Sequence, residues 1–234
     1  MKRELLETLV AAREHREPVV LARGLASGRQ FIATLREFAG DDDDVDPALR
    51  DAARAALDCE GARSVTVGAE AWLLQTLVEP ARIVVVGAVH IAQALVPMAL
   101  RTGYAVVLID PRTAFASEER FPGIRIDHRW PGEAMPDLAL DPQTAVVALS
   151  HDPKIDDPAL EAAMDSDAFY IGALGSRGNQ AKRRERYAAR GYTDAQIDRI
   201  HGPIGLPLGG RSPAEIAVAT LAEIIQARYR PRDQ

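Results

Sequence analysis

From Pro80 onward the chain repeats one pattern: a short run of β-branched and other apolar residues, a turn, then a stretch with helical periodicity. Ile83–Val86 is closed by Gly87 and followed by His90–Thr102, where Ile91, Leu95 and Met98 share one helical face. Tyr104–Ile109 ends at Asp110; Ile124 and Ile126 mark a third, shorter strand; Ala145–Leu149 is a fourth. A helix opened by Pro158 is expected over Asp157–Met164, and Ala168–Ile171 is a fifth strand. Runs this short and this uniformly apolar are too brief for buried helices and lack the polar alternation of a half-exposed sheet. Parallel strands also need long crossovers, which the intervening helices supply. The pattern therefore predicts an α/β domain, a five-stranded parallel sheet with helices on both faces. Pro97 should kink its helix, because proline removes a donor and crowds the preceding turn. Asp127–Leu140, with Pro131, Gly132 and Pro136, reads as loop with one helical turn. The C-terminal part is helical: charged Asn179–Arg190, a capping box from Thr193 to Gln196, and Ser212-Pro213-Ala214-Glu215 ahead of a helix burying Ile216, Ala217, Leu221, Ile224 and Ile225.

The preceding residues differ in character. Residues 2–16 have helical spacing, Pro18 to Leu21 begin a strand, Gly24 and Gly28 bracket a turn, and 29–38 suit strand or helix. Asp41–Asp44 are consecutive like charges that want water, hence a loop. Asp46 caps a helix with Pro47 at its first position, running to about Cys59, and Arg63–Val67 with Ala71–Val78 form a hairpin across Gly68-Ala69-Glu70. This gives a small, acidic, mixed α+β domain over 1–79 and the α/β domain over 80–234. The whole chain of 234 residues carries 28 basic and 34 acidic side chains, net -6. That balance argues against a nucleic-acid partner. A single cysteine excludes an internal disulfide. The charged start and the lack of a long apolar run predict a cytoplasmic protein without membrane contact.

Ligand chemistry is expected at the strand–helix turns. Gly87-Ala88-Val89-His90 lies between strand and helix, and Asp110 follows 23 residues later, near the spacing of an acid that holds a ribose diol in the G-x-G-x-x-G/A fingerprint. Val89 stands where the second glycine would admit a pyrophosphate, which penalises dinucleotide binding while leaving the helix N-terminus open to a phosphate. His151 in Ser150-His151-Asp152 is a candidate for proton transfer or ligand contact, with a capped turn as the plainer alternative. Gly175-Ser176-Arg177 combines backbone N–H groups with a guanidinium, an anion cradle. Residues 177–190 hold six basic side chains and one acid, a solvated face or a dock for an acidic partner. The stiff, apolar segment Pro203–Arg211, with Ile204, Gly205, Leu206 and Leu208, reads as a ligand or partner surface or as core packing. The five histidines have no metal-ligand spacing.

These segments resemble those of the XdhC/CoxI family of accessory proteins for xanthine dehydrogenase and carbon monoxide dehydrogenase, most closely over Pro80–Arg228. The family's G-A-G-H segment is similar to Gly87–His90, its acid-and-arginine strand end to Asp110-Pro111-Arg112, its F-P-G to Phe121-Pro122-Gly123, and its T-H-D to Ser150-His151-Asp152. Tyr170–Arg177 carries its Y-I-G-x-x-G-S-R element and Pro203–Ala217 its P-I-G-L element. The N-terminal domain is a degenerate version: the stretch of the family's S-G-G-C segment is shortened, and Asp41–Asp44 lies near its place. The resemblance implies a Rossmann-like C-terminal domain that binds the molybdopterin-type molybdenum cofactor and passes it to an apo molybdenum hydroxylase. It also implies a cysteine desulfurase as second partner and a homodimer. Gly87, His90, Asp110, Arg112, His151, Asp152, Gly175, Ser176, Arg177, Gly205 and Arg211 are the expected binding residues. The role needs orientation rather than bond-breaking side chains. Two other functions compete: an NAD(P)-dependent oxidoreductase using the same sheet, or an adaptor docking a desulfurase or apoenzyme through the basic helix 179–190 without cofactor.

Overall fold

The computed structural model describes residues 3–41, 45–57 and 61–229; Asp42–Asp44 of the acidic run and Cys59 lie outside them. The chain divides into two units, Met1–Glu79 and Pro80–Gln234.

The first unit contains helices α1 (Arg3–Glu14) and α2 (Pro47–Ala56) and strands β1 (Val19–Gly24), β2 (Gln30–Ala33), β3 (Phe38–Gly40), β4 (Gly61–Val67) and β5 (Glu70–Leu77). The strands form one antiparallel sheet in the order β3-β2-β1-β5-β4. The ambiguous stretch 29–38 is resolved as strand and turn: β2 and β3 fold back on each other across 34–37, with Phe31 opposite Gly40. Asp46 caps α2 by accepting from the Ala48 N–H at 2.9 Å, with Pro47 in the first turn. Leu49, Ala53 and Ala56 of α2 then pack on Val20, Phe31, Trp72 and Leu74.

The second unit is a six-stranded, wholly parallel sheet. Its strands are β6 (Arg82–Val86), β7 (Ala105–Ile109), β8 (Arg125–Asp127), β9 (Thr144–Ala148), β10 (Tyr170–Ala173) and β11 (Ile200–His201). They lie in the order β11-β10-β9-β6-β7-β8. Every residue of β6 and β9 is buried, as strands with helices on both faces require. Ile83 and Val85 of β6 face Leu95, Tyr170 and Leu221, while Val84 and Val86 face Ile155, Leu160 and Tyr187. Helices α3 (His90–Arg101) and α8 (Pro213–Arg228) pack together on the first face, and α5 (Pro153–Met164) contacts β9 and β10. Short α4 (Pro131–Ala134), α6 (Arg177–Ala189) and α7 (Asp194–Asp198) complete the unit.

The structure corrects several expectations. The sheet has six strands rather than five: Ile200–His201 is too short to show a period, and only pairing with Ile171 and Gly172 makes it a strand. Helix α5 starts at Pro153, not near Pro158, because Asp152 caps it by accepting from the Lys154 N–H at 3.0 Å. Pro158 is then inside the helix. Pro97 also sits inside α3, which continues to Arg101. Its ring is exposed, so water can serve the carbonyl that the missing N–H leaves without a donor. Among the described residues no helix is long and apolar enough to cross a membrane.

Candidate ligand site at the carboxyl ends of the strands

Counted from β6, the sheet reads 3-2-1-4-5-6, so the chain reverses direction of travel between β6 and β9. In open parallel sheets that switch point leaves a crevice outside the carboxyl ends of the strands, the usual place for a ligand. Here that position falls between Gly87 after β6 and Ser150 after β9. The two turns touch so closely that a Cβ on Gly87 would stand 2.8 Å from the Ser150 backbone nitrogen, and Gly87 has φ +105°. Only glycine suits both the contact and the dihedral.

Asp110, at the end of β7, is fully buried and reaches back into this turn. Its Oδ2 accepts from the Ala88 N–H at 2.7 Å and from the Arg112 guanidinium at 2.7 Å. Its Oδ1 accepts from the Arg112 backbone N–H and Nε, both at 2.9 Å. Burial pushes this carboxyl up, but the Arg112 fork and the backbone donors outweigh it and hold the group below the usual aspartate range. The acid thus fastens the glycine turn to the next strand. A ribose diol would have to displace Arg112 to reach it.

Ser150-His151-Asp152 is a capped elbow leading into α5. Asp152 is the helix cap, and Asp156, one turn on and 1% exposed, accepts from the Ser150 N–H at 3.1 Å, the Ser150 hydroxyl at 2.7 Å and the His151 N–H at 3.0 Å. Burial raises the Asp156 carboxyl above the usual range despite these donors. His151 takes the left-handed φ of +63°, rare for a residue with a Cβ, and its side chain is exposed. Arg112 feels the charges of Asp152 and Asp156, so the two sides of the crevice are coupled electrostatically.

The neighbouring turn follows β10. The Leu174 N–H donates to Ala148 O at 2.9 Å, holding this turn beside the end of β9. Ser176 caps α6 by accepting from the Asn179 N–H at 3.3 Å, and Gly175 (φ +138°) leaves a hollow in which a Cβ would come within 3.2 Å of Asn179 Cβ. Arg177 is exposed at the first position of α6. The α3 terminus offers N–H groups too, since Val89 supplies no side-chain cap, and His90 is exposed beside it.

The structure therefore places Gly87, Asp110, Arg112, His151 and Asp152 on the turns that close the neighbouring strands β6, β7 and β9, with Gly175, Ser176 and Arg177 at the end of the adjoining β10. Gly205 is tied instead to α8: its φ is +93°, and a Cβ would stand 3.0 Å from the Ala219 carbonyl carbon. The segment around it divides between the two expectations. Ile204 is core, whereas Leu208 is 61% exposed and Arg211 is exposed ahead of α8. The basic helix α6 is largely matched within its own unit. Arg184 pairs with Asp194 and Asp198, Arg186 with Asp157, and Arg190 with Glu161, while Arg183 is buried. Sequence reasoning misses Asp156 and Glu223; a lone glutamate in the apolar run Ala217–Ile225 is the available signal for the second.

Strand order and glycine turn define a Rossmann-type domain. Residues 83–224 match the XdhC Rossmann domain, and the chain belongs to that family. Among curated proteins it is 28% identical over 158 residues to a Bacillus subtilis protein named as a probable xanthine dehydrogenase subunit, covering 67% of this chain and 46% of that one. It is 29% identical over 152 residues to the "Molybdenum cofactor insertion chaperone PaoD" of Escherichia coli, covering 65% of this chain and 42% of that one. The chain thus spans less than half the length of these relatives. A crystal structure of a xanthine dehydrogenase from Bacillus halodurans shares the fold, with a TM-score of 0.69 at 20% identity over 99% of this chain and 64% of that one.

Proposed function

We propose that the protein is a molybdenum cofactor chaperone: it binds the molybdopterin-type cofactor as cargo and hands it to an apo molybdenum hydroxylase, with a cysteine desulfurase as a further partner. The observation that carries this reading is the pair of N–H-rich turns at the ends of β6 and β10 inside a domain of the XdhC family. The cargo carries a phosphate and oxo groups, and such anions suit open helix termini and a guanidinium. Gly175, Ser176 and Arg177 would take the phosphate, with His90 beside the second terminus. His151, Asp152 and Arg112 would line the crevice, and the 203–211 loop would wall the pterin. Asp110 serves as the anchor of the glycine turn. Its engaged oxygens weigh against the NAD(P) alternative.

The test is mass spectrometry of ligand co-purified from a host that makes molybdopterin. The wild-type chain should retain the cofactor, and Arg177→Ala should lose most of it. Arg177 is exposed, so the variant's melting temperature should match wild type. Equal retention by both, or an empty wild-type chain, would refute the reading.

A further inference from the structure

The carboxylate of Glu223 gathers donors from three separate elements. The Tyr170 hydroxyl, at the start of β10, donates to Oε2 at 2.5 Å, and the Gly205 N–H donates to the same oxygen at 2.8 Å. His201 Nδ1, at the end of β11, lies 3.0 Å from Oε1. Tyr170 is itself 1% exposed, and its ring packs 4.8 Å from the His201 ring. Glu223 stands in the middle of α8 with a side chain 15% exposed, between Leu221 and Ile224 of the core. An acid in that setting destabilises the fold unless its lone pairs are filled. Burial pushes its carboxyl up, and the His201, Tyr170 and Gly205 donors more than offset this, leaving it below the usual range. Removing the acid alone would leave the buried Tyr170 hydroxyl and the Gly205 N–H without this acceptor, so the carboxylate holds groups from β10 and the following loop to α8.

The geometry concerns one segment. Ile204 N–H donates to Ala173 O and Leu206 N–H to Ala219 O, each at 3.1 Å, so the chain is threaded between β10 and α8 just where Glu223 takes the Gly205 N–H. Beyond it, Leu208 is exposed and Gly209 has φ +83°. We propose that Glu223 is the positioning residue of the 203–211 loop, fixing from α8 where that loop stands beside the sheet. The consequence for ligand binding rests on the chaperone reading, in which this loop walls the pterin; the positioning itself does not.

Hydrogen exchange of the full chain tests it with Glu223→Gln, which keeps one acceptor oxygen at the same reach, and Glu223→Ala, which keeps none. The hydrogen-bonded amides of Ile204, Gly205 and Leu206 should exchange at least about tenfold faster in Glu223→Ala, the scale of one lost hydrogen bond to a charged acceptor. Glu223→Gln should fall between it and wild type, and the amides of β6 and α3 should be unchanged in both. If Glu223→Ala does not fold, a local rise in Glu223→Gln decides the matter. Unchanged exchange in 204–206, or an equal rise in β6 and α3, would overturn the proposal. A loosened loop with undiminished retention of molybdenum cofactor would leave the positioning role standing and remove the loop from the binding site.

Discussion

Replacing Asp110 by asparagine keeps the shape of the side chain and removes its charge where four hydrogen bonds meet. One amide oxygen can still accept, but the new NH₂ group must face either the Arg112 backbone N–H and Nε or the Ala88 N–H and Arg112 Nη2, donor against donor in both orientations. Breaking one side of a fully buried ion pair costs about 3–5 kcal/mol. Here Asp110 is fully buried but the Arg112 side chain is 35% exposed, so water takes over part of its hydration and the expected loss is about 2–3 kcal/mol. For a unit of this size that lowers the melting temperature by roughly 2–4 °C per kcal/mol. Thermal unfolding followed by circular dichroism at neutral pH should therefore show a drop of roughly 5–10 °C. The pH dependence has a definite sign. The folded-state pKa of Asp110 is depressed, so its contribution is complete above the ordinary aspartate value and disappears as pH falls through the lower folded value. Wild type and Asp110→Asn should converge on acidification. A variant within about 0.5 kcal/mol of wild type at pH 7, the range of a neutral surface change, would refute the anchoring role. So would a deficit that persists undiminished in acid.

Gly87→Ala should destabilise by about 2 kcal/mol or more, since its Cβ would meet the Ser150 backbone and its φ is left-handed; an unchanged melting temperature would deny that the β6 and β9 turns touch. His151→Gly should stabilise by about 0.5–1 kcal/mol, the left-handed strain relieved less the added freedom of glycine in the unfolded chain. A loss above about 1 kcal/mol in thermal unfolding would mean that the imidazole makes stabilising contacts of its own.

The elements that sequence reading locates well are those whose signal is local. Strands β6, β7 and β9 are buried on both faces over nearly their whole length and so are apolar after Arg82 and Thr144; Ser212 and Thr193 announce their helices through side chains three residues away. Where a signal depends on partners far along the chain, reading fails. The start of helix α5 is a separate case: Pro153 and Pro158 each suit a first turn, and a local bond, from the Lys154 N–H to Asp152, sets it at Pro153. Strand β11 exists through its pairing with β10. The candidate site shows the same division. Gly87, Asp110 and Gly175 can be picked out as residues, but Asp110 reads the same whether its oxygens face a ribose or the Ala88 N–H.

The sequence by itself determined a parallel α/β unit behind a small mixed one, the positions of the glycine turns, and the family. These follow from periodicity, dihedral demands and caps, which act over a few residues. Tertiary structure alone decided that the switch point falls between β6 and β9, that Asp110 is an anchor, and that Glu223 joins β10, β11 and the 203–211 loop. A buried carboxylate is defined by the donors that reach it, and those donors lie up to 53 residues away along the chain.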